Sequence, residues 1–95
     1  RVKWVMAHAG GGKSKEAMQA ARDFSTIYVE TCGSGLSSIE FAVKEGRADR
    51  VLFGTDMPLL DASQQLAKLA ISRISDEEKK MVLGGNAIRL LGLQL

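Results

Sequence analysis

The chain has 95 residues and a single histidine, His8, which closes the apolar run "VKWVMAH" of residues 2–8. A second apolar run, "RVLFGTDMP" over residues 50–58, also closes on a polar group, the carboxylate of Asp56 just ahead of Met57 and Pro58. Imidazole exchanges protons near neutrality and, when neutral, ligates metals. A carboxylate holds cations or accepts a proton. Singly, each residue also has a plain structural use, because aspartate before proline is common turn chemistry and a strand-end histidine often only satisfies a neighbouring group. They form a candidate site because they stand at equivalent points of two similar units.

The elements that must position them repeat three times. After the first run the chain breaks at "AGGGKS", and "KEAMQAARDF" then sets Ala17, Ala20, Ala21 and Phe24 at helical spacing. The second unit is the β-branched and aromatic stretch "TIYVETCGSG", followed by "SSIEFAVKEG", where Ser37 and Glu40 have capping-box spacing and Gly46 stops the helix. The third is the Asp56 run followed by "DASQQLAKLAISRI", with Leu66, Leu69, Ala70 and Ile74 on one face. Ser75 and Glu78 then form a second capping box, Gly84-Gly85 predicts a break, and Asn86 is placed to cap a short final helix. The expected fold is therefore α/β: three consecutive strand-helix units, with parallel strands, right-handed crossovers and one segment over residues 1–95.

Loops that follow parallel strands share one edge, and ligands bind at the carboxyl ends of the strands. His8 and Asp56 both fall there. Strand alternation predicts that an inward His8 brings Met6 and Trp4 with it as core filler, and that an inward Asp56 brings Gly54, Leu52 and Arg50. Glu30, inside the second strand, is expected to pair with Arg50. Cys32 and Met57 lie near the same rim and are candidates to line a substrate pocket, as are Gly10 and Gly11, whose backbone can approach a ligand closely.

Composition narrows the classes. A chain of this length forms one modest core, burying roughly 60–65% of its unfolded surface. With 45% hydrophobic and 25% charged residues it belongs to neither the disordered nor the fibrous class. The net charge of +2 is spread without a basic, aromatic-studded stripe, so no nucleic-acid partner is expected. No apolar run approaches the ~20 residues of a membrane span, and a lone cysteine fits a reducing compartment, so a cytoplasmic setting is expected. The chain begins at Arg1 without an initiator methionine, which suggests that upstream sequence has been cut away or left out.

The segments "HAGGG", "VLFGTDMP" and "GGNAIRLLGL" together resemble the C-terminal part of the amidohydrolase-related metal-dependent hydrolases, a family that includes nonoxidative aromatic-acid decarboxylases. The resemblance implies that the three strands are the sixth, seventh and eighth of a (β/α)₈ TIM barrel. His8 then matches the strand-six histidine and Asp56 the strand-eight aspartate. The family's first-strand His-x-His pair and fifth-strand histidine have no counterpart in this chain. A whole barrel needs about 250 residues, so the piece is expected to pair with missing barrel strands or with other copies of itself.

What the resemblance implies chemically is a divalent cation, most plausibly zinc, that activates a water or polarises a small-molecule amide, ester, lactone or aromatic acid. Asp56 would bind the cation and accept a proton; His8 would be a second ligand or an acid/base group. A rival motif overlaps the first loop: "AHAGGGKS", residues 7–14, fits a relaxed phosphate-binding pattern, with Ala7 in place of its first glycine and Lys13 and Ser14 in its final positions. The third expectation is a catalytically inert barrel piece.

Overall fold

Alternating strands and helices fold as the periodicity predicts. The computed structural model describes residues 2–94, so Arg1 and Leu95, the two ends of the expected segment, lie outside the described residues. Strands β1 (Trp4–Met6), β2 (Ile27–Glu30) and β3 (Val51–Leu52) form a parallel sheet in the order β1-β2-β3. Helices α1 (Ser14–Asp23), α2 (Leu36–Glu45) and α3 (Ala62–Ile71) follow them in turn, and α4 (Asp76–Lys80) and α5 (Asn86–Leu91) end the chain. No helix among the described residues is long and apolar enough to cross a membrane.

The two-residue period of a strand sorts the sheet into faces. Met6, Ile27, Val29, Val51 and Phe53 pack on the helix side, against Met18 and Ala21 of α1 and Ile39, Ala42 and Val43 of α2. Tyr28, Glu30 and Leu52 therefore point to the opposite face, where Tyr28 and Leu52 are buried outside that core. This corrects the expectation for Trp4 and Met6: Met6 packs on the helix side, and Trp4 is 64% exposed and not core filler. Alternation does not carry from β1 to His8 because the backbone leaves strand geometry at Ala7.

Strands of three, four and two residues supply few ladder bonds, and long polar side chains tie down the ends. Arg50 is buried, donating from Nη1 to the carbonyls of Ala21 (3.2 Å) and Phe24 (2.9 Å), with its guanidinium 5.6 Å from the Tyr28 ring centre. It does not pair with Glu30 as expected, because these contacts hold it at the amino end of β2 while Glu30 sits at the carboxyl end. Gln65 of α3 is buried too, and its amide donates to the carbonyls of Thr31 (2.6 Å) and Ser34 (3.3 Å). That need overrides simple periodicity on α3: Gln65 and Leu69 face inward while Leu66 is 46% exposed, and Ile74 is buried beyond the helix end.

Two cap expectations also change. The α2 cap is Gly35, two residues before Ser37, and Glu40 accepts a hydrogen bond from the Arg73 backbone N–H. At Gly84-Gly85 the helix widens into a π-helical turn (Met81–Gly85) and continues, so Asn86 meets no free helix start to cap. Its fully buried amide donates instead to the carbonyls of Ala48 (2.6 Å) and Val51 (2.8 Å), while its Oδ1 accepts from Arg89 (2.7 Å). The Ser75/Glu78 capping box forms as predicted, with both reciprocal bonds.

Replacing Asn86 by leucine leaves those carbonyls without donors, each costing about 1–3 kcal/mol if it stays buried. Asn86→Leu is expected to lower stability by about 2 kcal/mol or more, read from the urea midpoint by circular dichroism. An unchanged midpoint would remove Asn86 from the account of β3.

Candidate functional site

Three non-glycine residues among those described have positive φ: His8 (55°), Ala9 (48°) and Asp56 (62°). The left-handed region costs an L-residue about 1–2 kcal/mol, and aspartate and histidine are among the types that tolerate it best. Two of the three positions are thus the two candidate residues. At the end of β1 a left-handed run through His8, Ala9 and Gly10, followed by Gly11 with φ 62° and ψ −129°, turns the chain sharply into α1. At the end of β3, Asp56 makes a comparable turn, and its carbonyl accepts from the Leu60 N–H at 3.2 Å.

These turns bring the pair together: His8 Nε2 lies 4.0 Å from Asp56 Oδ2, with the side chains 53% and 35% exposed. Asp56 does not cap α3. Asp61 does, accepting from the Ser63 N–H at 3.0 Å, which leaves the Asp56 carboxylate for another role. Two donors on one zinc ion, each about 2.0–2.1 Å away, can be at most about 4.2 Å apart. The pair falls inside that limit but is wider than the roughly 3.3 Å between neighbouring donors on a tetrahedral ion, so the spacing suits a cation held by Asp56 with the His8 ring beside it. It is only part of a site, because no group of three or more metal-ligating side chains gathers among the described residues.

Cys32 comes to the same place, its Sγ 3.5 Å from His8 Nδ1. Burial, reinforced by the Glu30 carboxylate, pushes the thiol up from 9.0 to about 11, so it is a neutral S–H and a poor nucleophile near neutral pH. Gly10 backs onto α1, where a Cβ would collide with that of Ala17; Gly11 has open space around it. Met57, next to Asp56, is 69% exposed on the rim. Lys13 pairs with Glu16 at 3.9 Å. Two broad surface grooves meet Asp23 and Phe24, one of about 450 Å³ beside Trp4 and Thr26 and one of about 530 Å³ along α1, and neither includes His8 or Asp56.

The sequence reading missed what Glu30 does. Its Oε2 accepts from the Cys32 backbone N–H at 2.7 Å, and a Cβ on Gly54 would overlap the carboxylate. The signal was available in part: alternation already placed residues 30 and 54 on one face of adjacent strands, but not that glycine at 54 makes room for the acid.

An amidohydrolase family model matches residues 1–93. No curated protein matches the sequence significantly. Among solved structures, the fold is similar to that of a dihydroxybenzoic acid decarboxylase from Polaromonas with bound manganese and 2-nitroresorcinol, at a TM-score of 0.79 and 22% identity over 96% of this chain and 34% of that one. It is also similar to 5-carboxyvanillate decarboxylase from Sphingomonas paucimobilis (TM-score 0.79, 18% identity, 97% of this chain and 34% of that). An amidohydrolase-type protein from Staphylococcus aureus gives 0.77 and 20% over 96% and 35%. The chain thus spans about a third of the length of these structures.

The environment of Cys32 has a consequence in solution. Its thiol pKa is raised on folding, so that contribution to stability is complete below about pH 9 and is lost as pH climbs through about 11. The stability advantage of the wild-type chain over Cys32→Ser should therefore shrink across that interval, measured as the difference in urea midpoints. A difference independent of pH would show that the thiol titrates normally.

Proposed function

We infer that this chain, which belongs to the amidohydrolase family, supplies the sixth to eighth strands of a metal-dependent barrel, with β1, β2 and β3 in those places. The proposed reaction is nonoxidative decarboxylation of a small aromatic acid, with hydrolysis of an amide or ester as the second reading. The observation that carries the proposal is the 4.0 Å approach of His8 Nε2 to Asp56 Oδ2 across one rim of the sheet. Decarboxylase activity is named for two of the structures of similar fold, and one of them holds manganese, which favours a divalent cation without favouring zinc.

In this reading Asp56 holds the cation through its carboxylate, and the left-handed turn fixes where that carboxylate can reach. When bound, the cation supplies positive charge that stabilises negative charge on substrate oxygens. His8 faces the same space and handles the proton. As the carbon–carboxylate bond breaks and carbon dioxide leaves, the electron pair stays on the ring carbon and takes a proton, which His8 Nε2–H is placed to give. In the hydrolytic reading the same nitrogen orients the attacking water. Cys32, which touches the His8 ring, is proposed to meet substrate, as are Gly11 and Met57; Gly10, packed on α1, shapes the turn. A reducing, cytoplasmic setting agrees with the free thiol.

The outer side of β3 is covered by bonds to Val82 and Asn86, whereas β1 is the outer strand on the other side, with Trp4 and Val5 64% and 47% exposed. We propose that further barrel strands, or a second copy of this chain, cover that edge. Light scattering should then give a mass above 10.2 kDa for the isolated chain, and a monomer at all concentrations would sink the self-association arm.

His8 is the only histidine, so its ring protons give a single set of NMR signals. Substoichiometric Mn²⁺ is expected to broaden them selectively in the wild-type chain, and Asp56→Asn is expected to abolish most of the effect. Equal broadening in both proteins, or none in either, overturns the cation reading.

A further inference from the structure

We propose that Glu30 and Cys32 are positioning residues for His8: the Glu30 carboxylate, seated in the slot left by Gly54, holds the Cys32 backbone, and the Cys32 thiol in turn holds the imidazole with Nε2–H directed at Asp56. This deepens the proposed function and rests on its reading of His8 and Asp56 as the working pair.

The argument begins with the strand end. β2 stops at Glu30, the Thr31 N–H still reaches the Leu52 carbonyl at 3.0 Å, and Cys32 lies one residue beyond that last ladder bond. Glu30 bends back over its own strand end instead, its Oε2 accepting the Cys32 N–H at 2.7 Å. A carboxylate can occupy that position only because residue 54 on β3's continuation has no side chain; a Cβ there would overlap it. The acid is thus confined by the neighbouring strand on one side and by its own hydrogen bond on the other.

Holding the Cys32 backbone fixes its Sγ, which lies 3.5 Å from His8 Nδ1. A thiol is a weak donor and a weak acceptor, so by type alone it could serve either tautomer. The other end of the ring decides. Nε2 faces the Asp56 carboxylate at 4.0 Å, and without a cation a bare nitrogen lone pair facing a carboxylate is repulsive, whereas N–H facing it is attractive. With the proton on Nε2, Nδ1 is an acceptor and the thiol donates to it. Both ring nitrogens are then matched, and the resting neutral ring is held with Nε2 turned to the space it shares with Asp56.

The test is the ¹⁵N spectrum of the His8 ring in the cation-free chain above neutral pH, where one histidine gives two nitrogen resonances. The wild-type chain should show a fixed tautomer, with one protonated Nε2 and one bare Nδ1 widely separated in shift. In Cys32→Val the two resonances should move toward each other, as in an imidazole exchanging tautomers in water, and Cys32→Ser should restore the separation. Glu30→Ala should shift the resonances in the same direction as Cys32→Val, while Glu30→Gln, whose amide oxygen can still accept the Cys32 N–H, should stay with the wild type. A proton on Nδ1 in the wild-type chain, averaged resonances there, or a Cys32→Val spectrum identical to wild type overturns the proposal; a Glu30→Ala spectrum identical to wild type overturns the part given to Glu30. Because no cation is present, failure here leaves the manganese result standing, and failure there leaves this one.

Discussion

Side chains that donate hydrogen bonds to backbone carbonyls hold this small sheet in place. With strands of two to four residues, the ladder alone cannot set the height of β3 against β2. Asn86 grips the chain on either side of the start of β3, Arg50 reaches back to the end of α1 and the turn after it, and Gln65 fastens the loop that follows β2. Each donor is buried and each acceptor belongs to a different part of the chain, so the three bonds sets act like rivets between layers. The rim that carries His8 and Asp56 is only as well defined as these anchors make it.

That dependence explains which parts of the molecule could be read from the amino-acid order. The three strand-helix units and the Ser75/Glu78 cap follow from local periodicity and local hydrogen bonding, and they stand where expected. The reach of Asn86, Arg50 and Gln65 across the fold is not local. Asn86 has the chemistry of a cap and the position of one, and only the uninterrupted path of the helix through Met81–Gly85 frees it for β3. Arg50 and Glu30 looked like an ion pair because alternation gives the face and not the height along the strand. Trp4 was misplaced for a related reason, since alternation was carried through a turn that breaks it.

The candidate site was legible as a pair, and its surroundings were not. A histidine and an aspartate at the ends of two apolar runs mark one edge of a parallel sheet, and the fold brings them to 4.0 Å. Sequence could not show that Cys32 approaches the ring from the other side, or that Glu30 and Gly54 fit together, because both depend on side-chain conformations at strand ends. The chain belongs to the amidohydrolase family and shares its fold with a dihydroxybenzoic acid decarboxylase and a 5-carboxyvanillate decarboxylase; the role of the pair is the proposed function.

The left-handed backbone at His8 and Asp56 limits what else could stand there. A β-branched or bulky replacement would strain the main chain before its side chain met anything, so swapping either group for threonine, valine or isoleucine should disturb the turn as well as the chemistry. Glycine, asparagine, aspartate and histidine are the types that sit in this conformation with least strain. Anyone redesigning this rim for a new reaction has a palette of about four amino acids at its two key places, unless the loops themselves are rebuilt.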